Sequence, residues 1–134
     1  MNYKRFPFGA ICADQNHKEG LLMTCDLSMA HQSISYQRHN HRSEVWYVLK
    51  GHGKIWRNVN TEHPWIYEER TLNKDQVHLV PKGYWHKLWN PTDEDLVIIE
   101  IQYGDRTSED DIERILDESQ LEEMRKNYHG FDYI

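Results

Sequence analysis

The chain has 134 residues, with 16 Lys or Arg, 22 Asp or Glu and nine His, and a formal net charge of -6. This length supports one compact domain with its own core and leaves no room for two sizeable ones. The negative charge argues against nucleic acid and anionic membrane as partners, because both are bound chiefly through clustered Lys and Arg. No apolar run approaches the ~20 residues that cross a bilayer, and the amino terminus lacks the apolar stretch of a signal peptide, so we expect a soluble cytoplasmic protein.

The region from Gly20 to Gly104 predicts strands. Short stretches rich in Val, Ile, Leu, Tyr and Trp are separated by Gly, Pro, Asn and Asp, which is typical of strands and turns. The eight predicted strands cover residues 20–29, 33–41, 44–51, 53–59, 65–72, 76–81, 86–90 and 95–103. No helical periodicity interrupts them, so we predict an all-β sandwich or barrel with its core at about 20–104.

The character of the sequence changes after Gly104. The last 33 residues hold 10 acidic and 4 basic groups, which accounts for all of the net negative charge. Thr107 or Ser108 offers a helix cap, acidic residues follow at 109–111, and Ile112 and Ile115 begin an apolar face. These features predict a carboxy-terminal helix at about 108–126 that packs on the barrel, so that residues 1–134 form a single domain.

Candidate metal ligands concentrate in the strand region. Six of the nine histidines lie between His39 and His86. Residues 37, 39 and 41 share parity, so on a strand Gln37, His39 and His41 would project from one face. Divalent metals accept imidazole nitrogens and carboxylate oxygens, and one strand cannot surround an ion. Glu44 and the distant His86, which follows a turn containing Pro and Gly, would complete such a site.

Two stretches resemble the two motifs of the cupin family. The run from His39 to Glu44, followed by Gly51, resembles the first motif, and residues 81–90 resemble the second. More narrowly, Ser-x-Gln-x-His-x-His-Arg-x-Glu at 35–44, Ile-Ile-Glu-x-Gln-x-Gly at 98–104 and Glu-Asp-Asp-Ile-x-Arg at 109–114 resemble the carboxy-terminal cupin domain of type II mannose-6-phosphate isomerases. The resemblance covers residues 30–114. It implies a cupin double-stranded β-helix, that is, a jelly-roll barrel.

The resemblance implies two possible ligand sets for a divalent ion such as Zn, Mn, Fe or Ni. Cupins in general would use His39, His41, Glu44 and His86, whereas the isomerases would use Gln37, His39, Glu44 and His86. The two sets share three residues. We favour His41 over Gln37 for the fourth position, because imidazole binds such ions better than a neutral amide does.

The resemblance further implies aldose to ketose isomerisation of mannose 6-phosphate to fructose 6-phosphate or of a related sugar. Arg42 and Lys87 are the candidates for holding a phosphate, and Tyr84 and Trp85 are the candidates for contacting a sugar ring. Arg42 lies off the parity of the ligands, so strand alternation allows it to face solvent. The catalytic base is not assigned, and Tyr36 and His78 are neighbouring groups that titrate.

Two departures from the family pattern leave other functions open. Ser33 stands where cupins usually have glycine before the first motif, and Asp75 stands where the second motif usually opens with glycine. No nucleotidyltransferase segment or Gly-rich phosphate loop is present. The alternatives are a non-catalytic sugar-binding or regulatory cupin of a nucleotide-sugar pathway, a sugar epimerase that uses a His as base, and an iron dioxygenase. We also expect a homodimer, because a partner would cover an exposed edge strand.

Overall fold

The computed structural model describes residues 4–5, 10–12 and 21–128. Within these ranges the chain forms strands and one helix, in the order β1 (Lys4–Arg5), β2 (Ala10–Cys12), β3 (Leu21–Ser28), β4 (Tyr36–Arg38), β5 (Arg42–Lys50), β6 (His52–Asn58), β7 (Tyr67–Asn73), β8 (Val77–Val80), β9 (His86–Trp89), β10 (Leu96–Gly104), β11 (Glu113–Ile115) and α1 (Glu118–Lys126). Each of the eight strands predicted from the sequence corresponds to one of β3 to β10. That part of the prediction is confirmed.

The strands form two antiparallel sheets. The six-stranded sheet has the order β1-β2-β3-β10-β5-β8, and the five-stranded sheet has the order β11-β4-β9-β6-β7. Strands adjacent in the sequence therefore often lie in different sheets, as in a jelly roll. The all-β jelly-roll architecture with a carboxy-terminal helix is confirmed.

The main core lies between the two sheets. In β5 the side chains alternate, and Trp46 and Val48 are buried on the face that points toward the other sheet. Ile55 and Leu88 meet them from the five-stranded sheet, and Ile98 meets them from β10. The amino-terminal half of β5 continues the same inward row with polar residues, so a polar region lies directly beside the apolar core.

A second apolar cluster joins the helix to the outer side of the five-stranded sheet. Tyr36, Trp85, Ile115 and Leu121 are its buried members. Asp117 caps α1, because its Oδ1 accepts the backbone N–H of Gln120 at 2.8 Å. No helix in the described ranges has the length and the apolar character that crossing a membrane requires.

The predicted start of the helix at residue 108 is wrong. Residues Glu113–Ile115 form β11 and pair with Arg38, Gln37 and Tyr36 of β4, and the helix begins only at Glu118. The side chain of Glu113 also accepts a hydrogen bond from Arg38 Nε at 3.0 Å. This pairing between residues about 75 positions apart overrides the local preference of the acidic segment for a helix.

Candidate metal centre

His39, Glu44 and His86 converge in the polar region beside the main core. One ligand atom from each lies within 4.8 Å of the others. The three side chains are 2 to 3% exposed. They come from three separate segments: His39 from the bend after β4, Glu44 from β5 and His86 from the first position of β9. The structure thus brings together the three residues common to both ligand sets implied by the resemblance.

The ring of His39 is oriented by a backbone carbonyl. Its Nδ1–H donates to the carbonyl oxygen of Asp111 at 2.7 Å, which leaves Nε2 as the ring nitrogen that carries a lone pair. That Nε2 lies 3.2 Å from Oε2 of Glu44. Burial lowers the pKa of His39 below its usual value, so the ring is neutral near pH 7. A neutral ring fixed at Nδ1 with Nε2 directed inward is how metal-binding histidines are held.

His86 is held in the same way. Its Nδ1 lies 3.3 Å from the carbonyl oxygen of Tyr84, to which it donates. Nε2 is buried and has no hydrogen-bond partner in the described part of the chain. Burial lowers the pKa of His86 to about 4, which keeps the ring neutral at neutral pH. A buried lone pair without a partner costs free energy, and a ligand at this position would remove that cost.

Glu44 carries the negative charge of the cluster. Its Oε1 accepts the indole N–H of Trp46 at 3.0 Å, and its Oε2 accepts Nε–H of Arg42 at 3.1 Å. Burial alone would raise the pKa of this carboxyl. The hydrogen bond with Glu100 opposes burial, and the neighbouring positive charge of Arg42 adds to its effect, so the pKa of Glu44 lies well below its usual range. Glu44 is therefore an anion inside the protein.

Arg42 faces inward. Its position, three residues after His39, would have allowed it to face solvent if one strand had continued through both residues. Its Nη2 lies 3.3 Å from Nε2 of His39, and its Nη1 donates to the carbonyl oxygen of Ser108 at 3.0 Å. The reason is that β4 ends at Arg38 and residues 39–41 form a bend, so the alternation starts again at the beginning of β5. Arg42 and Glu44 therefore share one face, and the guanidinium group lies against two of the three candidate ligands.

The structure does not bring His41 to the cluster. Its ring is 40% exposed, and its Nδ1 lies 3.2 Å from Oδ2 of Asp105. Gln37 is placed differently, because it pairs with His86 in the register of β4 and β9. Residues directly opposite each other in an antiparallel pair project from the same face. Of the two candidates for a fourth ligand, Gln37 is the one on the face of the cluster, and its Oε1 accepts the hydroxyl of Ser35 at 3.2 Å.

Asp111 fixes the bend that carries His39, a role that sequence reasoning missed. Its Oδ1 accepts the backbone N–H of Asn40 at 2.8 Å, and its Oδ2 accepts that of His41 at 2.9 Å. The acidic motif at 109–114 contained the signal, but those acids were interpreted as the start of a helix. Gly104 assists, because a Cβ at this position would lie 2.0 Å from the carbonyl oxygen of His41. The end of β10 can approach the bend only without a side chain.

Two titrating residues, His78 and Tyr36, are candidates for the catalytic base. Of these two, only His78 faces the space between the two sheets. His78 is buried on β8, its ring centre lies 6.0 Å from that of Trp46, and burial together with nearby arginines lowers its pKa to about 4. Tyr36 points to the helix side of the five-stranded sheet and donates its hydroxyl to the carbonyl oxygen of Pro64 at 2.7 Å. The interior also contains Glu100, whose Oε1 accepts Nε2–H of Gln102 at 2.9 Å.

The structure separates the proposed phosphate and sugar contacts. Lys87 alternates outward from His86, its Nζ lies 4.4 Å from the ring centre of Trp56, and it lines a cavity of about 300 Å³ beside α1. Trp85 is buried in the cluster under the helix, and Tyr84 is half-buried in the turn before β9. Arg42 is the candidate that touches the cluster, whereas Lys87 and Trp85 lie on the helix side of the sheet.

The donor set is suited to a divalent transition metal. Two neutral imidazole Nε2 atoms and one carboxylate meet in a buried space, which is the combination that Zn, Mn, Fe and Ni accept. The unpartnered Nε2 of His86 supports this fit. The positively charged guanidinium of Arg42 already contacts Glu44 and His39. A metal ion bound here would therefore compete with this guanidinium for the same lone pairs.

Comparison with known proteins identifies the family of the chain. The family model described as mannose-6-phosphate isomerase C-terminal matches residues 14–117. A mannose-1-phosphate guanylyltransferase from Sinorhizobium fredii is 36% identical over 91 residues, which is 66% of this chain and 16% of that protein. The xanthan biosynthesis protein XanB from Xanthomonas campestris pv. campestris is 35% identical over 85 residues, 63% of this chain and 16% of that protein. The chain therefore spans about a sixth of the length of these relatives.

Solved structures show the fold. The cupin domain of Schizosaccharomyces pombe Cnp3 superposes with a TM-score of 0.59 at 16% identity, covering 72% of this chain and 65% of that one. This likeness and the two antiparallel sheets establish the jelly roll as a cupin fold. The matched residues include the entire candidate site. The chain belongs to the mannose-6-phosphate isomerase C-terminal family of cupins.

Proposed function

We propose that the protein is a metal-dependent isomerase of a phosphorylated sugar, converting mannose 6-phosphate to fructose 6-phosphate or acting on a related sugar. The observation that carries this proposal is the buried convergence of His39, Glu44 and His86, with an unpartnered imidazole nitrogen, in a member of this family. These three residues would hold the ion, and Gln37 is the proposed fourth ligand because it shares the face of His86.

Isomerisation moves a proton between adjacent carbon atoms through an enediol, and a bound divalent ion stabilises the negative charge that develops on the sugar oxygens. The chain itself supplies orientation. The carbonyl of Asp111 fixes the ring of His39, and the apolar core beneath Trp46 excludes water from one side of the cluster. Arg42 is the proposed phosphate ligand, because a guanidinium forms paired hydrogen bonds with phosphate oxygens.

The proposal is tested by incubating the full chain, loaded with Mn or Zn, with mannose 6-phosphate and measuring fructose 6-phosphate. We expect turnover by the wild type, and neither turnover nor stoichiometric metal in His86→Ala. His52→Ala is the matched control, since His52 is an exposed histidine on β6, and it should retain both. Stoichiometric metal in His86→Ala would overturn the ligand assignment. If the metal-loaded wild type binds the sugar but does not convert it, the proposed isomerase activity is overturned.

A second candidate function is a non-catalytic sugar-binding or regulatory cupin. The contact of Arg42 with Glu44 and His39 favours it, because the guanidinium satisfies two of the three candidate ligands without any ion. Under this alternative the protein binds a sugar or sugar phosphate in titration calorimetry but does not convert it. Turnover of a nucleotide sugar that is insensitive to chelators would instead indicate an epimerase, and iron-dependent oxygen uptake would indicate a dioxygenase.

A further inference from the structure

The inner face of the six-stranded sheet is polar beside the candidate metal cluster. Gln102 on β10 lies directly opposite Glu44 on β5. Glu100, also on β10, lies directly opposite Thr24 on β3. Residues directly opposite each other project from the same face, as do residues two apart on one strand. The side chains of Thr24, Glu100 and Gln102, which we call the polar wall, therefore point toward the same interior as Glu44.

The polar wall is buried, and two of its polar atoms have no partner. Thr24 is 4% exposed, and Glu100 and Gln102 are each 8% exposed. Nε2 of Gln102 donates to Oε1 of Glu100, which in turn hydrogen-bonds with Glu44. Oε1 of Gln102 and Oγ1 of Thr24 have no hydrogen-bond partner in the described part of the chain. Buried polar atoms are nearly always paired, so these two indicate where polar groups of a ligand bind.

The chemistry of the polar wall selects hydroxyl groups. The bond from Nε2 to Glu100 fixes the orientation of the Gln102 amide, and its Oε1 can only accept a hydrogen bond. The hydroxyl of Thr24 can donate and accept. An anionic group is disfavoured here, because the negative charge of Glu44 lies opposite Gln102. A neutral ligand group that can donate to one atom and accept from the other is a hydroxyl.

Thr24 and Gln102 are close enough to bind neighbouring hydroxyl groups of one sugar. Thr24 lies opposite Glu100, two residues before Gln102, so the two side chains are diagonal neighbours across β3 and β10. The Cβ atoms of such neighbours are roughly 7 Å apart, and each hydrogen bond to a hydroxyl spans ~2.8 Å. Two hydroxyl groups on adjacent carbon atoms therefore match the separation of the two side chains.

We propose that Gln102 and Thr24 determine substrate specificity by binding the hydroxyl groups on the third and fourth carbon atoms of the sugar. This inference rests on the proposed function. Isomerisation occurs at the first and second carbon atoms, which must lie beside the candidate ligands, and the phosphate on the sixth is assigned to Arg42. The third and fourth remain for the polar wall, which adjoins both groups, because Gln102 faces Glu44 and Gly104 faces Arg42.

The test is titration calorimetry of the full metal-loaded chain with mannose 6-phosphate and with two analogues, which lack the hydroxyl group on the third or on the fourth carbon atom. The wild type should bind mannose 6-phosphate about tenfold more tightly than either analogue, because each analogue leaves one buried polar atom unpaired. In Gln102→Leu the preference over one of the analogues should fall below about threefold, since substitution and analogue remove the same interaction.

Gln76→Leu is the matched control. It makes the same substitution at an exposed glutamine in the turn before β8 and should leave both preferences unchanged within about twofold. Gln102→Leu should also keep stoichiometric metal, because Gln102 is not among the candidate ligands. Thermal unfolding checks that each variant folds. Thr24→Val, which replaces the hydroxyl by a methyl group of similar size, should abolish the preference over the other analogue and carries the test if Gln102→Leu does not fold.

The outcomes separate this inference from the proposed function. Preferences equal to those of the wild type in Gln102→Leu and Thr24→Val would overturn the role of the polar wall, while turnover of mannose 6-phosphate would leave the isomerase standing. Preferences that fall as expected in a protein that converts no sugar would overturn the isomerase and support the polar wall. A wild type that binds none of the three sugars would overturn both.

Discussion

Replacing Arg42 by Ala should tighten the binding of a divalent ion to the buried cluster. The guanidinium donates to Oε2 of Glu44 at 3.1 Å and lies 3.3 Å from Nε2 of His39. An ion that binds these two atoms must displace both contacts and approach a positive charge. Removing the side chain removes the competitor and the repulsion together.

The magnitude follows from these distances. Two unit charges ~4 Å apart repel by about 4 kcal/mol at an effective dielectric constant of 20. Part of this repulsion is relieved in the wild type when the arginine moves away, so we expect a net gain of ~1.4 to 2.8 kcal/mol in Arg42→Ala, or ten- to hundredfold in affinity. In the absence of metal the same variant should be less stable by about 3 to 5 kcal/mol, because Glu44 then carries an uncompensated buried charge.

Titration calorimetry with Mn or Zn measures the affinity, and urea unfolding with and without metal measures the stability. Arg38→Ala is the matched control. Arg38 lies four residues earlier, pairs with the exposed Glu113 and makes no described contact with the cluster, so its loss should leave metal affinity unchanged. An affinity in Arg42→Ala equal to or weaker than that of the wild type would refute the competition between guanidinium and ion.

The remaining predictions concern stability. Asp111→Ala removes two charge-assisted hydrogen bonds to the bend, so urea unfolding should show a free energy of unfolding lower by about 3 kcal/mol. The control Asp110→Ala, at the adjacent exposed residue, should lower it by well under ~1 kcal/mol. Equal losses in the two variants would contradict the role of Asp111 in fixing the bend. Burial lowers the pKa values of His78 and His86 to about 4 in the folded protein. In the unfolded chain the pKa of a histidine is about 6.5, so between about pH 4 and pH 6.5 the unfolded chain binds protons that the folded protein does not. Above about pH 7.5 these two histidines should therefore not affect the free energy of unfolding of the metal-free protein. On going to pH 5.5 that free energy should fall by about 1.4 kcal/mol for each of the two histidines. His78→Phe should remove about 1.4 kcal/mol of the loss measured on going to pH 5.5, and an unchanged pH profile would show that His78 is not buried in its neutral form.

The strands could be predicted because each carries a local signal. Alternation in β5 and β10, with turns at Gly51 and around Pro91, needs no knowledge of distant residues. The start of the helix could not be predicted in this way, because β11 exists only through its pairing with β4. Its local acidic sequence favours a helix equally well, and the deciding interaction joins residues far apart in the chain.

The residues of the candidate site also differ in how far the local sequence predicts them. His39, Glu44 and His86 could be found from the two motifs, because the types of ligand and their spacing are visible in the sequence. The inward position of Arg42 and the exposed position of His41 depend on the bend at 39–41, where the alternation of a strand no longer applies. The role of Asp111 could not be predicted, because its partners are backbone N–H groups and its acidic neighbours equally fit the start of a helix.

The clamp formed by Asp111 makes the geometry of the site depend on a distant part of the chain. The three candidate ligands lie within residues 39–86, yet the carbonyl that orients His39 is 72 residues further along the chain. The pairing of β10 with β3 spans a similar distance, since Leu96 lies opposite Ser28 and Tyr103 lies opposite Leu21. A chain that ended before residue 111 would therefore keep all three candidate ligands and lose the carbonyl that orients one of them.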